Sequence, residues 1–223
     1  MNILAFDCSM TGCAAAVLAD ARLLARGEVP AATPGGRGQS EALMPLLAQV
    51  MDEAALDWKA LDLVGVTVGP GSFTGLRIGL AAARGFGLAL GLRVAGVSTP
   101  EALLAGLPAA ERGTHPVIVA IDSKRAEPFV QAFGRDLEPL RPVTALALDQ
   151  VATLGLKAPL LVGDAAPRLL PLLPGAILSA APPRPDPVAL ARLAARLVDE
   201  GRALPPEPLY LRPADVTLPA AAS

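Results

Sequence analysis

The residues best suited to chemistry lie in one loop, Gly69-Pro70-Gly71-Ser72-Phe73-Thr74-Gly75, which runs on into Leu76-Arg77-Ile78-Gly79. The apolar run at residues 63–68 before it reads as a buried strand, and residues 76–90 after it have helical periodicity. A strand, a glycine-rich loop and a helix N-terminus make a concavity lined by backbone N–H groups, which suits a phosphate or another anion. Glycine also serves tight turns at positive φ that need no ligand, and the loop by itself leaves both readings open. No Gly-Lys-Ser/Thr follows, so this is not a Walker loop, and the spacing does not fit G-x-G-x-x-G. The inventory excludes the common zinc and iron centres: the chain has one histidine, His115, and two cysteines, Cys8 and Cys13. The cysteines stand on consecutive strand-like runs and read as small buried thiols, with a redox pair as the alternative.

Composition narrows the function classes further. The 223 residues suffice for one large domain or two small ones with an ample core. The chain is 52% hydrophobic, yet Arg77, Arg84 and Arg93 break its longest apolar stretches. No run reaches the roughly eighteen apolar residues of a membrane span. Met1-Asn2 leads straight into strand-like Ile3-Leu4-Ala5-Phe6 without a basic leader region, so a cytoplasmic protein with no membrane partner is expected. A net charge of −2 and 3% aromatic residues argue against holding RNA or DNA unaided. Any nucleic acid is therefore expected to be held mainly by a partner.

The elements that must position the loop alternate along the chain. Residues 3–8, 13–18 and 23–29 read as three strands with tight connections. A Gly/Pro-rich loop leads to Ser40, the expected N-cap of a helix to about residue 55. Leu43, Leu46, Leu47 and Val50 fall on one face of that helix. The strand at 63–68, the glycine loop, the helix to residue 90 and a strand at 93–97 follow. Ser98-Thr99-Pro100-Glu101 has capping-box spacing before a short helix. A second unit starts after Gly106, with strands expected at 117–121, 128–133 and 160–163 and helices at 149–154, 165–172 and 187–200. The tail beyond Pro213 is expected to fray.

This order resembles the actin-like ATPase (ribonuclease-H-like) fold, an α/β architecture of two subdomains, each a mixed sheet flanked by helices, facing a nucleotide cleft. The resemblance implies subdomains at residues 1–105 and 106–223, with the last helix packing back on the first. In that fold an acidic residue ends the first strand and a hydroxyl-rich turn follows. Asp7-Cys8-Ser9-Met10-Thr11-Gly12 stands in that place here. Asp7 and Ser9 thus join Gly69, Gly71, Ser72, Thr74 and Gly75 as phosphate-loop candidates. An Asp and a Ser that merely close a β-turn are the other reading.

Asn2-Ile3-Leu4-Ala5-Phe6-Asp7, the full GPGSFTGLRIG loop, Gly96-Val97-Ser98-Thr99, Ile121-Asp122 with Arg125 and Glu127, and Tyr210-Leu211-Arg212 together resemble the bacterial TsaB family. The resemblance spans nearly the whole chain in consistent order. It implies a non-catalytic paralogue of TsaD, the subunit that places a threonylcarbamoyl group on N6 of the adenosine beside the anticodon of tRNAs reading codons that begin with A. TsaD builds a metal site on histidines. The corresponding stretch here, Arg37-Gly38-Gln39-Ser40-Glu41-Ala42-Leu43, has none. The implied partners are TsaD, TsaE in a ternary complex, a second copy when the chain is alone, and tRNA only indirectly. No catalytic residue, metal or required cofactor is expected, with ATP or ADP bound at most in the complex.

Such a protein needs a docking surface, and small residues mark one candidate. Gly75, Gly79, Ala83 and Gly87 recur every four residues, with Leu76 and Leu80 beside them, a spacing that lets another helix approach closely. With Leu43 and Leu47 of the preceding helix they form the expected partner interface, and Ala83→Arg the expected disruption. Packing of the same stripe against the chain's own sheet is the alternative. Arg77, in the first helical turn, is expected to pair with a carboxylate. Two other functions stand beside the scaffold. An ATP-dependent phosphotransferase would need a second phosphate loop, for which Leu161-Val162-Gly163-Asp164 is the candidate. A peptidase finds no Ser/His/Asp set.

Overall fold

The computed structural model describes residues 1–30 and 38–211. Arg37, Arg212 and the tail beyond Pro213 lie outside the described residues. Two five-stranded sheets organise the chain. The first runs β3 (Arg22–Val29), β2 (Cys13–Ala19), β1 (Asn2–Asp7), β4 (Leu63–Gly69), β5 (Arg93–Ser98) in spatial order. Strands β1 to β3 pair antiparallel, while β4 runs parallel to β1 and β5 parallel to β4. The second sheet repeats the plan: β6 (Val117–Ile121) is followed by antiparallel β7 (Phe129–Phe133) and β8 (Thr144–Ala145). Strands β9 (Leu160–Val162) and β10 (Ile177–Leu178) lie parallel on its other side. One strand order occurring twice is the ribonuclease-H-like duplication of the actin-like fold.

Strand β1 sits mid-sheet and is apolar almost throughout because both of its faces are covered. Its side chains alternate between the two faces. Leu4, Phe6 and Cys8 enter the core under α1 (Gln39–Glu53) and α2 (Phe73–Leu90), whereas Ile3 and Ala5 enter the core under α6 (Pro187–Asp199). In α6, Asp186 caps the N-terminus by accepting from the amides of Val188 and Ala189 at 3.0 and 2.8 Å, and Pro187 opens the first turn. Leu190, Leu193 and Leu197 face the first sheet, each burial contributing roughly 1.5–3 kcal/mol. Gly65 makes this close packing possible, since a Cβ there would stand 2.9 Å from that of Ala194. Helix α3 (Thr99–Ala105) starts at Ser98, whose Oγ accepts from the Glu101 amide. Leu103 and Leu104 of α3 pack under the second sheet.

Two helix starts and two short strands differ from the sequence expectation. Helix α1 begins at Gln39 with Gly38 at its N-cap, two residues ahead of the expected Ser40, and α2 begins at Phe73 with Ser72 as its cap. Strands β8 and β10 are two residues each, too short for a period to register. Among the described residues no helix is long and apolar enough to cross a membrane.

Candidate functional site

The C-terminal ends of β1, β4, β6 and β9 converge on a cleft of about 790 Å³ between the two sheets, the place where open α/β sheets receive ligands. The first sheet lines it with the turn Ser9–Gly12 and with the loop from Pro70 into α2. The second lines it with Asp122, Ser123, Lys124 and Asp164.

Asp7 holds the first turn rather than facing the cleft. It is 3% exposed, and its Oδ1 accepts from the Ser9 amide (2.9 Å), the Ser9 hydroxyl (2.6 Å) and the Thr67 hydroxyl (2.6 Å). The turn is gripped from its other side by Gln39, whose Nε2 donates to the carbonyls of Cys8 (3.2 Å), Met10 (2.9 Å) and Gly12 (2.7 Å). Thr67 and Gln39 escaped sequence reasoning. The one signal was a lone hydroxyl in an apolar run; Gln39 had none, because its partners lie about thirty residues away.

The glycine loop is packed against that same turn. A Cβ at Gly71 would lie 2.0 Å from the Ser9 carbonyl oxygen, and one at Gly75 would lie 1.9 Å from that of Cys8. The Ser72 amide donates to the Ser9 carbonyl at 2.6 Å, and the Gly75 amide to Ser72 Oγ at 3.2 Å. Gly69, at φ +108°, precedes a cis bond to Pro70 and packs on Leu76. Of the phosphate-loop candidates, Ser9, Gly71, Ser72 and Thr74 line the cleft, while Asp7, Gly69 and Gly75 lie behind it. Gly71 and Gly75 are thus explained by backbone contact between two loops.

Burial pushes the Asp7 carboxyl above the ordinary value of 3.8, against the opposing pull of its Ser9 and Thr67 hydrogen bonds. The folded chain therefore holds this proton more tightly than the unfolded chain. The resulting stabilisation is complete below the ordinary value and is lost as pH rises through the higher folded one. Asp7→Asn keeps an acceptor oxygen and removes the charge, so it is expected to flatten this decline and to hold or raise the neutral Tm. Melting curves between about pH 4 and pH 8 check this; a variant with the parent slope would refute it.

On the second wall, Asp122 accepts from the Lys124 ammonium and amide, both at 2.9 Å, and the ammonium holds its carboxyl below the usual range. Asp164 accepts from the Asp122 amide at 2.7 Å, and burial raises its carboxyl, with the Asp122 charge adding to the effect. Gly163, at φ +101°, brings Asp164 there: a Cβ would stand 2.2 Å from the Ala120 carbonyl oxygen. The second-loop candidate therefore does reach the cleft. Among the described residues no three His, Cys, Asp or Glu side chains gather as a metal-ligand set. The Gln39 amide, in the stretch corresponding to TsaD's histidines, is already engaged with three carbonyls, so a TsaD-type metal does not fit these residues.

Arg77 departs from the expected salt bridge. Its guanidinium lies over the Phe73 ring at 3.7 Å, and Nε donates to the Tyr210 hydroxyl at 3.0 Å. The expected interface residues are also displaced. Leu43, Leu47, Leu76, Leu80 and Ala83 are at most 3% exposed, inside the chain's own core. Gly75 and Gly79 face Cys8, and Gly87 faces Val94, so the small-residue stripe seats α2 on its own sheet. The outward faces carry other residues: Met44, Pro45 and Ala48 on α1, and Ala81, Gly85 and Leu88 on α2. Leu88 is 89% exposed and Met44 51%.

Comparison with known proteins agrees with this architecture. The family model described as TsaD, tRNA N6-adenosine threonylcarbamoyltransferase, matches residues 26–166. An uncharacterised protein of Mycobacterium tuberculosis is 31% identical over 214 residues, covering 96% of this chain and 93% of that one. The Escherichia coli tRNA threonylcarbamoyladenosine biosynthesis protein TsaB is 29% identical over 136 residues, 61% of this chain and 56% of its own length. The solved structure of YeaZ from Pseudomonas aeruginosa superposes with a TM-score of 0.79 at 24% identity, covering 94% of this chain and 99% of that one, a likeness of fold. With two repeated sheets around one cleft and these relatives, the chain belongs to the TsaB branch of the TsaD family.

Proposed function

We propose that this chain is the accessory subunit, without chemistry of its own, that supports TsaD in forming the N6-threonylcarbamoyl group on the adenosine beside the anticodon of tRNAs reading codons that begin with A. The observation carrying this reading is the pair of outward helix faces, where Met44 and Leu88 stand exposed on elements whose inner faces are fully packed. In this reading the two side chains belong to a docking surface shared by the neighbouring helices. A second support is the state of the glycine loop, whose Ser72 and Gly75 amides bond within the loops rather than standing free for a phosphate. In this reading the chain works in the cytoplasm and needs no cofactor. TsaE joins the ternary complex, tRNA is held by TsaD, and ATP or ADP, where the complex carries one, sits at the joint. Alone, the chain pairs with a second copy through the same faces.

The test is threonylcarbamoylation of tRNA by TsaD, TsaE and the adenylate-forming synthase, with and without this chain. Modification is expected to fall to background on omission. Undiminished modification would overturn the scaffold role. Magnesium-dependent ATP turnover by the isolated chain would favour the phosphotransferase reading, to which Asp122 and Asp164 in the cleft lend the one specific support.

A further inference from the structure

The turn that lines the cleft is bracketed by the chain's two cysteines. Strands β1 and β2 pair in a register that ends at Asp7 opposite Ala14, and one step further places Cys8 opposite Cys13. Directly opposed residues of an antiparallel pair have Cα atoms about 4.5–5.5 Å apart, inside the roughly 4.4–6.8 Å window that a disulfide requires. The two side chains point into the same core, both at most 2% exposed, and their sulfurs stand 2.7 Å apart. The register and the sulfur contact place the pair within reach of a bond.

We propose that Cys8 and Cys13 are a dithiol that closes reversibly to a disulfide, stapling the turn Ser9–Gly12 at its base. This inference is independent of the proposed function. The oxidant class is a peroxide. The Cys13 thiolate attacks a peroxide oxygen, the O–O bond breaks, and the departing hydroxide leaves as water after taking a proton, giving a sulfenic acid. The Cys8 sulfur then displaces the sulfenic hydroxyl as a second water, forming the S–S bond. Two thiols and one hydrogen peroxide give one disulfide and two waters. The contact between the sulfurs lets one thiol donate to the other; it lowers the Cys13 thiol and raises that of Cys8, with burial raising Cys8 further, in keeping with this order of attack. The staple acts on a turn that already supports its neighbours: the Cys8 carbonyl abuts Gly75 at the start of α2, and that of Ser9 abuts Gly71.

The experiment treats the reduced full-length protein with hydrogen peroxide, denatures it, and counts thiols by alkylation and mass spectrometry. Tryptic peptide 1–22 contains both cysteines. That peptide is expected to lose two hydrogens and resist alkylation, with both thiols restored by dithiothreitol and the chain free of intermolecular cross-links. The oxidised protein is expected to melt about 5 °C higher than the reduced form. Cys8→Ser should leave Cys13 without its resolving partner, so the intramolecular product disappears while the fold persists by circular dichroism. Thiols that survive peroxide in the folded protein, sulfinic acids that dithiothreitol does not reverse, or disulfide-linked dimers would each overturn the proposal.

Discussion

Gly75→Ala is expected to destabilise the protein by about 3–5 kcal/mol and lower Tm by roughly 10 °C, although the same change ordinarily strengthens a helix by up to about 1 kcal/mol. The reason is a contact between backbones. The added Cβ would lie 1.9 Å from the Cys8 carbonyl oxygen, and the neighbouring Gln39 amide atoms at 3.0 Å leave no room on the other side. The first obstacle is backbone, and the Gln39 side-chain end is held in place by its bonds to three carbonyls. The carbonyl belongs to a turn pinned by Asp7 and Gln39, so the start of α2 must lift away from it, loosening the Ser72 cap and the Gly71–Ser9 contact together. Gly85, ten residues along the same helix, has nothing within 4 Å of its would-be Cβ. Gly85→Ala is therefore expected to stabilise by about 0.5–1 kcal/mol. Thermal or urea melts of the two variants decide the matter: equal signs would show that the loop contact does not govern α2.

This contrast marks how far the sequence could be read. Strands β1, β4 and β6 were legible because double-sided burial demands continuous apolar runs, and α6 because its leucines keep helical spacing. The glycine loop was legible as a special place, yet whether glycine serves a ligand or a neighbouring backbone depends on what lies across from it. What lies across is the Cys8–Ser9 turn, more than sixty residues earlier. Gln39 was invisible for the same reason. The partner face was misassigned because a stripe of small residues permits close approach on whichever side it faces, and here it faces the chain's own sheet. Arg77 was misjudged because its partners, Phe73 and Tyr210, are aromatic rather than acidic.

Under the proposed scaffold role, Gly85→Arg is expected to weaken association with TsaD by about a hundredfold or more while leaving the fold intact. A charge forced into an apolar interface without a partner costs about 3 kcal/mol or more, which is that factor in affinity. The isolated chain escapes this cost. Gly85 is exposed, arginine has room there, and replacing glycine inside a helix recovers roughly 0.5–1 kcal/mol. Ala83→Arg, two residues away, exchanges these outcomes. Ala83 is 0% exposed among the leucines and valines under α1 and α2, so the guanidinium has neither space nor a counter-charge. That variant is expected to lose about 4 kcal/mol or more and to fail as a folded protein before any question of binding arises. Loss of tRNA modification by Ala83→Arg would therefore say nothing about the interface, whereas loss by a Gly85→Arg protein of parental Tm would locate it on the outward face of α2. Sedimentation equilibrium of each variant alone and mixed with TsaD separates the two cases. A well-folded Gly85→Arg protein that still binds TsaD with parental affinity would place the contact elsewhere on the molecule.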